Sequence, residues 1–382
     1  MSEISFAIEG VLEDARQKTG LSDFGENDFM EGLQVLLETY DNNGYSERGR
    51  KRCRRRVVDL LAARLRIENA FKLHPEIRNE KINQPLFLTG LPRTGTSALL
   101  NLLAADPAAR PLYMWEGFNP EPIEGLPKGA PDPRYEGMKA FEEEQKKNPE
   151  FAKIHATSVD TPEECIHLLN HTFCDVQFGV ETMMEPYGSW FQKQDLRKSY
   201  AYYADLLRMI QWQRPGERWV LKTPGHLWAL DILVELFPDC GIIITHRNPL
   251  ESVASYCSMM ANMMKQRESY DLHELGPVLL EYLARKLERG LQARSTMNPD
   301  RFIDIQFTDF VNNAVATAES IYAHFKLPFD DTVAKQLRDY DKAHPMNKHG
   351  KHEYSLAQYG LTEDQVLSRF DFYLQQYTIN MD

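Results

Sequence analysis

Along residues 1–80 apolar side chains recur every three or four positions, the period of amphipathic helices. The clearest stretch is Val57-Val58-Asp59-Leu60-Leu61-Ala62-Ala63-Arg64-Leu65-Arg66-Ile67, with charges set between the apolar positions. From residue 85 the pattern changes. Short apolar runs at Leu86–Thr89, Trp219–Leu221, Ile242–Thr245 and Phe302–Phe307 end in turn residues and give way to helical periodicity. Strands alternating with helices make βαβ units, whose strands pair in parallel. The pattern predicts an α/β fold, a parallel sheet flanked by helices over residues 83–382, preceded by a helical N-terminal extension over residues 1–82. An insert, residues 107–215, separates the first two runs. Its Pro- and Gly-rich part, PEPIEGLPKGAPDPR, reads as a surface loop. Further on, Thr161-Pro162-Glu163-Glu164 has the spacing of a helix start, with Thr161 capping, Pro162 at the first helical position and Glu164 closing a capping box.

Composition narrows the class. The 382 residues include 44 Lys and Arg against 56 Asp and Glu, a formal net charge of −12. With 42% hydrophobic residues the chain can build a sizeable core, which excludes a mainly disordered state. Its acidity argues against a nucleic-acid partner. The five cysteines (Cys53, Cys165, Cys174, Cys240 and Cys257) form no CxxC pair, as expected for a reduced compartment and not for a zinc ribbon or a disulfide scaffold. The start MSEISFAIEGVLEDARQ carries acids where a signal peptide needs a basic start and an apolar block. No apolar run approaches the ~18–20 residues of a membrane span. A soluble, cytoplasmic protein is expected. One block runs against the net charge: seven of the nine residues 48–56 are Lys or Arg. It reads first as a solvated helix face balanced by acids elsewhere, with a nucleic-acid or nuclear-localisation segment and contact to an anionic membrane surface as the alternatives.

The strongest chemical signal is Leu86-Phe87-Leu88-Thr89-Gly90-Leu91-Pro92-Arg93-Thr94-Gly95-Thr96-Ser97, followed by a helical pattern. A strand that runs through a Gly-containing loop into a helix points successive backbone N–H groups at one spot, and the helix dipole adds positive potential there. That is a phosphate cradle of the P-loop type. The spacing Gly90-xxxx-Gly95 matches the first part of a nucleotide-binding P-loop, but Thr96 stands where a Walker A loop has Lys. The later strand ends in Thr245-His246-Arg247 and offers no Walker B acid for magnesium. A second anion clamp follows from Arg247-Asn248-Pro249-Leu250-Glu251-Ser252-Val253-Ala254-Ser255, where Asn248 reads as N-cap, Pro249 as the first helical residue and Glu251 as a capping-box partner. Arg247 then lies at the C-terminal end of a parallel strand, where α/β sheets bind ligands, and Ser255 lies two turns into the next helix.

These residues resemble a known family. Arg247 with Ser255 behind an apolar strand is similar to the 3′-phosphate-binding motif of sulfotransferases, and GLPRTGTS resembles their 5′-phosphosulfate loop in the Arg-containing form of the tyrosylprotein and some bacterial enzymes. Trp219-Val220-Leu221-Lys222-Thr223-Pro224-Gly225-His226 looks like the bacterial group's segment after its second strand. Asn347-Lys348-His349-Gly350-Lys351-His352 resembles the basic loop over the cofactor's nucleotide end. The likeness covers roughly residues 85–360. It implies a P-loop-NTPase-like α/β fold and a donor, 3′-phosphoadenosine 5′-phosphosulfate (PAPS), bound by Arg93, Thr94, Gly95, Thr96, Ser97, Arg247, Ser255, Lys348, Gly350 and Lys351. The implied reaction is metal-independent sulfuryl transfer to a hydroxyl, or secondarily an amine, of a largely apolar small-molecule or lipid-like acceptor.

Sulfuryl transfer resembles phosphoryl transfer, with charge spread over equatorial oxygens, so cations aimed at those oxygens carry much of the catalysis. Arg93 and Lys222 suit that role. For the base that takes the acceptor's proton, Glu116 lies about where the tyrosylprotein enzymes have a catalytic Glu, and His226 is the alternative because imidazole titrates near working pH. Glu164-x-x-His167 copies a di-iron motif but has no second copy, so Glu163, Glu164, His167 and His171 read as a hydrogen-bonding helix face. Met259, Met260, Met263 and Met264 could line an adaptable acceptor pocket or be core. The rival classes are a P-loop kinase or ATPase and a non-catalytic nucleotide-binding protein.

Overall fold

In the computed structural model of the chain, residues 4–127, 130–146, 158–178, 185–264, 269–344 and 355–381 are described. Five strands, β1 (Leu86–Gly90), β2 (Ala109–Pro111), β3 (Arg218–Lys222), β4 (Gly241–His246) and β5 (Phe302–Gln306), form one sheet in the order β2-β3-β1-β4-β5. Every neighbouring pair is parallel. The central β1 is buried along its whole length, as its unbroken apolar run requires when helices cover both faces. Phe87 faces one apolar cluster, and Leu86 and Leu88 face the other.

Three features depart from the sequence reading. β2 lies inside what reads as an insert. Its three residues, Ala-Arg-Pro, have no alternation, and Pro111 is tolerated because β2 is an edge strand. Phe307 does not extend β5 but opens the helix Phe307–Asn312. The helix expected from Thr161 begins only at Ile166. Pro162 instead bridges Tyr113, the Glu163 N–H donates to the Leu112 carbonyl and the Cys165 N–H to the Lys222 carbonyl. These bonds keep residues 162–164 extended, so Glu163 and Glu164 are not on one helix with His167.

The N-terminal helices α1 (Ile8–Thr19), α2 (Met30–Asn42) and α3 (Glu47–Leu73) share one apolar cluster with residues of the sheet-bearing body. Arg64 of α3, 1% exposed, ties them down by donating to the carbonyls of Phe24, Glu26 and His171 and to the Asp28 carboxylate. The basic block lies on the first half of α3. Arg50 pairs with Asp41, Lys51 with Glu47 and Arg54 with Asp14, whereas Arg52 and Arg55 are exposed. No helix among the described residues is long and apolar enough to cross a membrane.

Candidate active site

The loop after β1 leads into α4 (Thr96–Leu103). Two glycines are required by its path. Gly90 has φ +145°, and a Cβ there would lie 2.6 Å from the Thr245 carbonyl oxygen; Gly95 has φ +85°, and its Cβ would lie 2.9 Å from the Phe307 ring. Thr94 turns inward: its hydroxyl donates to the Leu91 carbonyl at 2.7 Å and meets the Thr245 hydroxyl at 2.5 Å, pinning the loop to β4. Arg93 adopts φ +69°, an uncommon conformation for a residue with a Cβ. The bend presents its carbonyl to Arg247, whose guanidinium donates to it at 2.8 Å, while Arg93 Nε donates to the Ser255 hydroxyl at 3.1 Å. The structure thus brings the two anion motifs into direct contact. Arg247 also lies over the Phe307 ring, 4.1 Å from its centroid, and donates to Glu251 at 2.7 Å. Asn248 caps as expected, accepting from the Leu250 N–H, but Glu251 serves Arg247 and not a capping box.

Lys222, the last residue of β3 and 3% exposed, forms the second cluster. Its Nζ donates to the Ser97 hydroxyl at 2.9 Å and to Glu164 Oε1 at 2.5 Å, and the Thr223 hydroxyl donates to Glu164 Oε2 at 3.2 Å. Glu164 reaches this corner because the Cys165 N–H is bonded to the Lys222 carbonyl. Its side chain remains 29% exposed, so part of the carboxylate faces outward. Lys286, 1% exposed on the helix Leu272–Arg294, lies 5.2 Å from the Tyr282 ring centroid. Burial pulls its ammonium down to about 7, against the attraction of the Glu164 charge.

The two residues expected as bases sit elsewhere. Glu116 is 2% exposed, with its oxygens taken by five donors: two nitrogens each from Arg110 and Arg214, and the Tyr113 N–H. Burial pushes its carboxyl up, but Arg110 and then Arg214 outweigh that and hold it below the usual range. A carboxylate so saturated has no open lone pair for a substrate proton. His226 is 0% exposed, its Nδ1 paired with the Tyr200 hydroxyl and its ring against Phe87; burial lowers it to about 3. Both hold the core together.

Of the other candidates, Thr96 is buried at the start of α4 and Ser97 is exposed beside Lys222. Lys348, Gly350 and Lys351 lie outside the described residues. Met260 and Met264 are core, and Met259 packs against it; the Met263 side chain is outside the described ones. His171 Nε2 meets the Gly117 carbonyl, and His167 approaches Glu163 at 3.6 Å. Among the described residues no three His, Cys, Asp or Glu side chains gather as a metal site would need. Glu164 and Phe307 stand against Lys222 and Arg247, contacts that sequence reading missed. For Phe307 the available signal was its place directly after an apolar strand.

A parallel five-stranded sheet flanked by helices, with the loop after β1 in contact with Arg247 and Ser255 beyond the carboxyl end of β4, is a P-loop-like α/β architecture. Residues 85–331 match the model described as "Sulfotransferase family", and the chain belongs to that family. Over its full length it resembles the crystal structures of sulfotransferase STF9 from Mycobacterium avium (TM-score 0.90, 26% identity, 100% of this chain and 99% of that one) and sulfotransferase STF1 from Mycobacterium tuberculosis H37Rv (TM-score 0.86, 32% identity, 97% and 99%). In sequence it is 22% identical over 183 residues to the omega-hydroxy-beta-dihydromenaquinone-9 sulfotransferase Stf3 of Mycobacterium bovis and of Mycobacterium tuberculosis, covering 44% of this chain. The aligned part spans about half the length of those curated relatives, 45%.

Proposed function

We propose that the chain transfers a sulfuryl group from PAPS to a hydroxyl on a largely apolar acceptor, with Glu164 as the base. The observation that carries this reading is Lys222 Nζ bridging Ser97 of the anion loop and Glu164. One cation is thereby held between a group suited to the donor and a carboxylate suited to the acceptor. The donor set fits an ester anionic at both ends: the free N–H groups at the start of α4, Ser97 and Lys222 at one end, and Arg93, Arg247 and Ser255 at the other.

PAPS supplies the sulfuryl group. In transfer, the acceptor oxygen bonds to sulfur as the bond from sulfur to the bridging phosphate oxygen breaks, and that oxygen keeps the electron pair. The acceptor proton passes to Glu164. Lys222 stabilises the growing negative charge on the bridging oxygen, the type of contact whose loss costs on the order of 10²–10³ in turnover. The name of the mycobacterial relative, omega-hydroxy-beta-dihydromenaquinone-9 sulfotransferase, supports a hydroxyl on an apolar skeleton. The catalytic body is assigned to residues 83–382, and the fold's place in the cell to the cytoplasm.

The donor half is tested by thermal shift. Adenosine 3′,5′-bisphosphate, which occupies both clamps, raises the melting temperature well above the shift given by AMP, since a ligand bound only by the native state stabilises it by mass action. Equal shifts would remove Arg247 and Ser255 from the reading.

A further inference from the structure

Four arginines of α3 line a cavity of about 640 Å³. Arg52, Arg55, Arg56 and Arg66 line it together with Lys18, and Asp59 is the one acidic residue among the described residues of its wall. Two of these cations are already neutralised: Lys18 by Asp59 at 2.5 Å, and Arg66 by Glu121 at 2.5 Å. Arg56 lies over the Phe178 ring. Arg52 and Arg55 are exposed and have no acidic partner among the described residues. Unpaired guanidinium groups at the rim of a cavity attract an anion by charge-assisted hydrogen bonds.

The rest of the wall is not that of a simple anion site. Tyr40, Leu60 and Phe118 add apolar surface. At the same wall lies Asn170, 2% exposed, whose Nδ2 donates to Gln177 while its Oδ1 is buried with no partner among the described residues. A buried carbonyl oxygen left unpaired is destabilising, and a ligand hydroxyl can satisfy it. His167 is in the wall as well, 3.6 Å from Glu163, the residue next to Glu164. The cavity therefore has a basic rim on α3 and an inner wall at Asn170 and His167, the latter in contact with the residue that precedes Glu164 in the chain.

We propose that this cavity takes the acceptor, and that the acceptor is an anionic amphiphile: an acidic group held at the rim by Arg52 and Arg55, an apolar body, and a hydroxyl directed inward. The inference rests on the sulfotransferase reading for the fate of that hydroxyl, but the binding preference does not need turnover. It gives Arg52 and Arg55 a role in acceptor selection.

The test uses the full chain with adenosine 3′,5′-bisphosphate present, and 12-hydroxydodecanoate and its methyl ester as probes. The two share the chain and the hydroxyl and differ at one end, a carboxylate against its uncharged methyl ester. By calorimetry the wild type binds the acid about tenfold tighter than the ester, equivalent to about 1.4 kcal/mol, and Arg52→Ala/Arg55→Ala binds both equally. The nucleotide-induced melting shift is unchanged in that variant, which shows it is folded. Equal affinity for acid and ester in the wild type, no binding of either, or a preference that survives the double substitution would each overturn the proposal. Nucleotide that binds normally beside any of those results leaves the donor reading intact. Failure of the nucleotide to bind counts against the donor reading alone, because the acid-over-ester preference is read separately.

Discussion

Glu116 and Glu164 are both carboxylates bound to cations near the carboxyl ends of β2 and β3, and they differ in what is left over. Glu116 receives five donors from Arg110, Arg214 and Tyr113 and is 2% exposed. Glu164 receives two, from Lys222 and Thr223, and is 29% exposed. The first is a closed ion-pair network that fastens β2 to the start of the helix after β3's neighbour, Met114–Phe118. The second has lone pairs still open beside a cation that reaches the anion loop. A carboxylate's chemistry is set by its unfilled acceptor capacity, and only Glu164 retains any.

The largest effect that can break this contrast is on turnover. Glu164→Gln keeps the shape and removes the proton acceptor, so turnover falls by roughly 10²–10⁴-fold while nucleotide affinity holds. Near-normal turnover in that variant would reassign the base. Lys222→Met comes next, with turnover down by about 10²–10³-fold. Its affinity for adenosine 3′,5′-bisphosphate, which lacks the transferred group, changes little, and a steady-state assay alongside nucleotide titration separates the two.

Glu116→Gln acts on stability instead. It strands Arg110, 2% exposed, and breaking a buried pair from one side costs about 3–5 kcal/mol, readable by chemical denaturation; activity per folded molecule is retained. The smallest effect is in the pH profile. Burial lowers His226 to about 3 and His171 to about 4, from an ordinary 6.5. Below pH 6.5 the unfolded chain therefore takes up protons that the folded chain refuses, so stability present above 6.5 is lost progressively as pH falls towards those values. His226→Gln flattens the slope between pH 6 and 4 by up to one proton, measured as unfolding free energy against pH. An unchanged slope would mean that His226 is not neutral in the fold.

The parallel sheet and the strand–loop–helix joint at Gly90–Thr96 were legible because apolar runs ending in turn residues alternate with helical periodicity. β2 was not, since an edge strand of three residues carries no period. Glu164 was hidden for a different reason. Thr161-Pro162-Glu163-Glu164 satisfies the local rules of a helix start, yet backbone bonds to Leu112 and Lys222 hold it extended, and tertiary pairing outweighs a local cap. The saturation of Glu116 was not legible because Arg214, which contributes to it, is 98 residues away in the chain. Lys222, Arg247 and Ser255 were readable as types at strand ends, but that Arg93 would join the last two required the left-handed bend at Arg93.

The most direct measurement compares Glu164→Gln and Glu116→Gln side by side, recording sulfuryl transfer from labelled PAPS and unfolding free energy for each. The expected result is a crossed pattern: Glu164→Gln loses turnover by two orders of magnitude or more with the smaller loss of stability, and Glu116→Gln loses stability with turnover per folded molecule retained. If Glu116→Gln abolishes transfer in a folded protein while Glu164→Gln does not, the saturated carboxylate is the base, and the assignment of Glu164 is wrong.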